Sequence, residues 1–314
     1  MWPHILCFAI AAAGPADGVQ GRAGVDFDTF SVSRLTCTIG NNLGNFPHRP
    51  GYNGIFSMTS PDEAESPFVP LYAGLNLEHY FDARPRPDDG KVFFEPRNFP
   101  MTFRKVNATT AELHQAATPV YKVESWTTFT LAEPYYVDVT FKCVPTEKVF
   151  EGGYLGVFWA SYINAPADKS MYFLREGSTL DAPQWAQLCT ALHGRYSTVR
   201  QAGDTAELPM PPVSDTLYQS FSPLRFSVPF FYGRFENMVL IYMWKPNPYL
   251  RLAHSPSGGG PNAAKDDTCP AWDFQLVVPN YEAGHEYGWQ LRVAYKPWKD
   301  RADVLNEVRA YLAN

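Results

Sequence analysis

Two consecutive segments limit what this chain can fold into more than any other feature. Tyr121 to Leu131 (YKVESWTTFTL) alternates, setting Val123, Ser125, Thr127 and Phe129 on one side of an extended backbone. Tyr135 to Val144 (YYVDVTFKCV) does the same directly after Glu133-Pro134. Two alternating runs joined by so short a break predict an antiparallel hairpin. A sheet that begins this way needs a second layer to cover its apolar side.

The rest of the chain supplies strands for that layer. Phe30 to Ile39, Lys91 to Glu95, Leu224 to Phe231, Asn237 to Trp244, Trp272 to Val278 and Trp289 to Tyr295 are rich in β-branched or aromatic residues. Pro, Gly or Asn bounds them. Tyr154 to Ile163 (YLGVFWASYI) is almost wholly apolar, as a strand buried on both faces would be. Asp300 caps one expected helix, in which Val304, Leu305, Val308 and Leu312 form a stripe. Trp185 to Leu192 reads as one or two helical turns. The composition agrees: 22 Phe, 18 Tyr, 8 Trp and 28 Pro favour strands and loops. The prediction is an all-β, large antiparallel sandwich with a short C-terminal helix, roughly fifteen or more short strands in one domain over residues 21–314.

Charge and the N-terminus narrow the partners. A net charge of −6 and no basic cluster beyond Arg84-Pro85-Arg86 argue against nucleic acid. Ile5 to Ala13 is an apolar run ending in three alanines, like a signal peptide, although its n-region lacks Lys and Arg. Residues 1–20 are therefore expected to be a leader and the protein to be periplasmic or extracellular. The run is too short to span a bilayer, which takes about 20 residues. Four cysteines remain (Cys37, Cys143, Cys189 and Cys269), open to either two disulfides or free thiols. No C-x-x-C, G-x-S-x-G, H-E-x-x-H or EF-hand loop occurs. A zinc site of the finger or ribbon type is not expected, and the motifs leave any other metal or cofactor open.

Sugar sites combine flat aromatic faces with polar side chains that hold hydroxyls. Leu75 to Asp82 (LNLEHYFD) reads as a strand with Glu78, Tyr80 and Asp82 on one face, His79 and Phe81 on the other. Glu78 beside His79 offers an acid and a base, or two metal ligands. Phe93 to Arg97 (FFEPR), if extended, aims Glu95 and Arg97 the same way. His193 and Arg195 follow the expected turn, and Tyr232 and Arg234 alternate in FFYGRFE. Trp159 and Trp272 offer stacking faces, and Trp272 alternates with Asp273 and Gln275. Before them lies His254 to Pro270 (HSPSGGGPNAAKDDTCP), whose glycines permit close approach of backbone to a ligand. A loop this long suggests a cover over a site. His79, His193 and Asp273 are expected to line one cleft with Glu78.

In sequence order, YKVESWTTFTLAEPYYVDVTFKCVP, GYLGVFWASYI and AWDFQLVVPNYEAGHEYGWQLRVAYKPW resemble the galactose mutarotase-like supersandwich and exported bacterial proteins of that type. The resemblance spans residues 30 to 298. It implies a carbohydrate partner and, for an enzyme, proton transfer as in epimerisation or β-elimination. Non-catalytic sugar binders share the fold. The epimerases pair a histidine acid with a glutamate base around an Asn-His motif; this chain lacks that motif, so no catalytic residue is carried over.

Overall fold

The computed structural model describes residues 25–44, 48–210 and 216–313; the expected leader lies outside them. Two large sheets dominate. The back sheet has nine strands, in the order Trp185–Leu188, Met171–Leu174, Phe230–Phe235, Met238–Trp244, Tyr287–Pro297, Tyr136–Pro145, Val123–Ala132, Thr110–Gln115 and Thr102–Lys105. The front sheet has six: Phe221–Phe226, Thr198–Gln201, Leu250–Ser255, Ala271–Pro279, Tyr154–Ala160 and Asn76–Phe81. A three-stranded sheet of Phe27–Val32, Leu35–Gly40 and Gly54–Thr59 stands beside them. The strands pair antiparallel except where Thr198–Gln201 meets Phe221–Phe226.

The expected hairpin sits near the middle of the back sheet, with Val123 opposite Pro145 and Ala132 opposite Tyr136. Val123, Ser125, Thr127, Phe129 and Leu131 are its buried side, as alternation requires. Between the sheets, Trp159 stacks on Phe274 with centroids 5.0 Å apart, and Trp244 and Trp289 meet them edge-on. Burying each such ring contributes about 1.5–3 kcal/mol. The C-terminal helix, Arg301–Ala313, starts at Asp300, whose carboxylate accepts the Asp303 N–H at 2.8 Å. It lays Val304, Leu305, Val308 and Tyr311 against the outer side of the back sheet, with Tyr311 more deeply buried than Leu312.

Four expectations about local structure are corrected. Phe30 to Ile39 is not one strand, because the chain turns back at Ser33-Arg34. Leu224 to Phe231 is divided at Ser227-Val228-Pro229, and its halves enter different sheets. Trp185–Leu188 is an edge strand rather than a helical turn, with Ala186 and Leu188 buried in alternation. Lys91 to Glu95 is not a strand: Asp89 caps a helical turn at Gly90–Phe93, and Pro96 lies in the first turn of a second, Glu95–Asn98. The cysteine alternatives resolve as free thiols, with Cys37, Cys143 and Cys269 buried and Cys189 exposed.

Candidate functional site

The site begins with a register slip. In the Asn76–Phe81 strand, Leu77 pairs with Trp159 and His79 with Phe158, which leaves Glu78 as an extra residue. This bulge breaks the expected alternation, and Glu78 and His79 both face outward from the front sheet. Leu77 and Tyr80 still point into the core. The predicted split of Glu78 and His79 onto opposite faces is therefore wrong, and the bulge is the reason.

Glu78 is buried and tightly held. Its Oε1 accepts a hydrogen bond from the Tyr162 hydroxyl and another from Arg97 Nη1 at 3.1 Å. Its Oε2 lies 3.4 Å from His79 Nε2. Burial opposes the charge, but His79, then Arg97 and Tyr162, outweigh it and hold the carboxyl at about 2. His79 Nδ1 donates to the Phe93 carbonyl at 2.7 Å, which leaves Nε2 to meet the carboxylate. Its ring packs against Phe93 and Phe94 at 4.2 and 4.7 Å.

Arg97 reaches this carboxylate because of the two helical turns. Its guanidinium lies between Tyr52 and Phe94, 4.1 and 4.6 Å from their centroids, and Nε donates to the Gly51 carbonyl at 2.8 Å. Glu95 does not join Arg97. It points the other way, buried, and accepts the N–H groups of Val120 at 2.6 Å and Tyr121 at 3.0 Å. Helical rather than extended backbone separates the two side chains, so Glu95 anchors the turns instead of facing the cleft.

Asp273 arrives from the neighbouring strand. Along Ala271–Pro279, Trp272, Phe274, Leu276 and Val278 fill the core, while Ala271 and Asp273 face the cleft. Asp273 Oδ1 accepts the Ser161 N–H at 3.1 Å. Burial, then the negative charge of Glu78, pushes its pKa well above the usual carboxylate range. Two carboxyls on one cleft thus prefer opposite protonation states. His193 completes the polar wall, with Nδ1 2.8 Å from Ser255 Oγ. Phe94, Phe158 and Tyr218 supply apolar faces, and Tyr218 is held in place by stacking on Phe81 at 4.0 Å. The cleft encloses about 250 Å³.

The structure gathers Glu78, His79, His193 and Asp273, and disperses the other candidates. Trp159 and Trp272 are core residues, and the Trp272 indole donates to the Lys169 carbonyl at 2.9 Å. Gln275 lies two residues beyond Asp273 and donates to Thr198 Oγ1 at 2.8 Å, outside the cleft. Tyr232 packs on the far side of the back sheet, where its hydroxyl accepts from Arg301 at 3.1 Å. Arg234 lies over the Trp298 ring at 4.8 Å, and Arg195 is exposed beside Tyr196. Arg97 braces Glu78. The long Gly-rich loop contributes Ser255 and Gly258 to the lining. Sequence reasoning missed Phe94, Tyr162, Tyr218 and Ser255. Phe158, Ala160 and Tyr162 share one face by alternation, but a run apolar on both sides does not say which face is the site.

Among the described residues, no group of three or more His, Cys, Asp or Glu is placed to hold a metal ion, and no helix is long and apolar enough to cross a membrane.

No protein-family model matches the chain, and no curated protein sequence matches it. Solved structures do match. A galactose mutarotase-related enzyme from Lactobacillus acidophilus aligns with a TM-score of 0.51 at 12% identity, over 87% of this chain and 98% of the other. The fold is the galactose mutarotase-like supersandwich. An aldose epimerase homologue from C. elegans gives a TM-score of 0.46 at 10% identity, covering 87% of this chain and 99% of its own. Heparan sulfate lyase HepC from Pedobacter heparinus gives 0.43 at 11% identity, over 88% of this chain and 36% of the lyase. At such identities the likeness concerns fold alone. In this supersandwich the cleft lies on the outer face of the front sheet, while the C-terminal helix covers the outer face of the back sheet.

Proposed function

We propose that the protein binds a carbohydrate in the cleft of Glu78, His79, His193 and Asp273 and moves a proton on it, as in epimerisation or β-elimination. The observation that carries this reading is the pairing of two carboxyls with opposite proton preferences beside two histidines, under aromatic faces. Groups whose environments push their pKa values apart are the usual mark of acid and base roles. Phe94, Phe158 and Tyr218 suit the apolar face of a sugar ring. Asp273, whose burial beside Glu78 favours the protonated form, is assigned as the proton donor to a sugar oxygen. His193, held by Ser255 on the same cleft, is assigned as the base. Glu78 is already saturated by Tyr162 and Arg97, which makes it a poor base; its role is to position His79, whose Nε2 lies 3.4 Å away. Neighbouring solved structures named as epimerases and a lyase lend the fold-level support that a sugar is the partner.

The test is a panel of neutral and uronate sugars, with binding read by calorimetry and turnover by two assays. Solvent deuterium entering a ring C–H reports epimerisation, and ultraviolet absorbance of an unsaturated product reports elimination. Asp273→Asn and His193→Gln are expected to keep binding and lose turnover. A wild-type protein that binds sugar without either reaction is a non-catalytic binder. One that binds no sugar overturns the proposal.

A further inference from the structure

A second, larger cavity of about 520 Å³ opens beside the cleft, and Phe94 lines both. Arg97 faces both ways: Nη1 donates to Glu78 in the cleft, and Nε donates to the carbonyl of Gly51, which lines the second cavity. Phe94 is half-buried and forms the ridge between them. Beyond the ridge, the second cavity carries Lys91, Asp89 and Asn98. Lys91 is exposed and makes no ion pair among the described residues. Asn98 donates through Nδ2 to the Phe94 carbonyl at 2.9 Å, which fixes the amide and leaves its oxygen as an acceptor.

The cleft, at about 250 Å³, is the smaller of the two spaces, and Phe94 stands at the passage between them. A ring stacked on Phe94 has its neighbour in the adjoining cavity. Building on the carbohydrate reading above, we infer that the second cavity is a subsite for an adjacent sugar unit, so that the ligand is an oligosaccharide and not a free monosaccharide. Phe94 is the platform across which the chain passes, and Lys91 and Asn98 meet the hydroxyls of the second unit.

Gly90 provides a selective test. It lines the second cavity and not the cleft, and a Cβ placed on it meets nothing within 4 Å, so Gly90→Trp has room to project into that cavity. The probes are galactose and galacturonic acid, each as monomer and as linked tetramer, titrated by calorimetry into folded wild type, Gly90→Trp and Lys91→Ala. The wild type should bind a tetramer at least about tenfold more tightly than its monomer, the factor that about 1.4 kcal/mol represents. Gly90→Trp should reduce that gain to within about twofold and leave monomer affinity unchanged, and Lys91→Ala should lose part of it. Monomer and tetramer binding equally to the wild type, or a full gain in Gly90→Trp, overturns the subsite while the carbohydrate reading stands. No binding of any probe overturns both.

Discussion

Replacing Asp273 by Asn removes one proton from the folding equilibrium, and the consequence follows from where the side chain lies. An aspartate ordinarily ionises near 3.8, but burial and then the Glu78 charge keep this one protonated well above that in the folded protein. The folded state therefore binds more protons than the unfolded chain once the pH passes 3.8. Stability attributable to Asp273 is greatest below that pH and falls as the pH rises, until the folded carboxyl itself ionises. The slope for one proton is about 1.4 kcal/mol per pH unit. Asparagine keeps an oxygen for the Ser161 N–H at 3.1 Å and has nothing to ionise. Urea unfolding followed by tryptophan fluorescence, run at unit steps from pH 4 to 7, isolates the effect, because other titrating groups cancel between wild type and variant. The variant's stability relative to wild type should climb by up to about 1.4 kcal/mol per unit, then level off. A difference that stays flat across this range means that Asp273 is ionised in the fold. Its assignment as the proton donor would then fail.

Three further substitutions probe the same structure. Glu78→Gln leaves Arg97 buried without its counter-charge and should lower stability by about 3–5 kcal/mol at pH 7. Because the folded carboxyl is held at about 2 against 4.5, that deficit should shrink as the pH falls from 4.5 towards 2 in the same unfolding series. Burial holds His254 at about 4, with Thr190 donating to Nδ1 at 2.8 Å and Nε2 donating to the Lys169 carbonyl at 2.9 Å. The unfolded histidine takes up a proton first, so wild type should lose about 3 kcal/mol relative to His254→Gln between pH 6.5 and 4. Trp159→Ala empties part of the core and should cost about 3–5 kcal/mol, with sugar affinity per folded molecule unchanged in calorimetry.

The sandwich was legible because alternation is a local signal. The faces of Val123–Ala132, and the split of Trp272 and Phe274 from Asp273 along the neighbouring strand, follow from side-chain period alone. What alternation hides is any residue that breaks it. The bulge at Glu78 has no marker in LNLEHYF, yet it turns Glu78 towards the side of His79. FFEPR reads as extended because it continues the aromatic run from Lys91, whereas proline in a first turn begins a helix as readily as it ends a strand. Trp159 and Trp272 looked like sugar platforms by residue type, but a tryptophan is equally at home in a core this rich in rings. Arg97 was legible as a charge and not as the partner of Glu78, since nineteen residues and two helical turns separate them.

A crystal soaked with a sugar from the panel tests the central claim most directly. The account predicts a ring lying against Phe94, Phe158 and Tyr218, with an oxygen within hydrogen-bonding distance of Asp273 and another near His193 or His79. Sugar bound elsewhere on the molecule, with this cleft left to solvent, would contradict it.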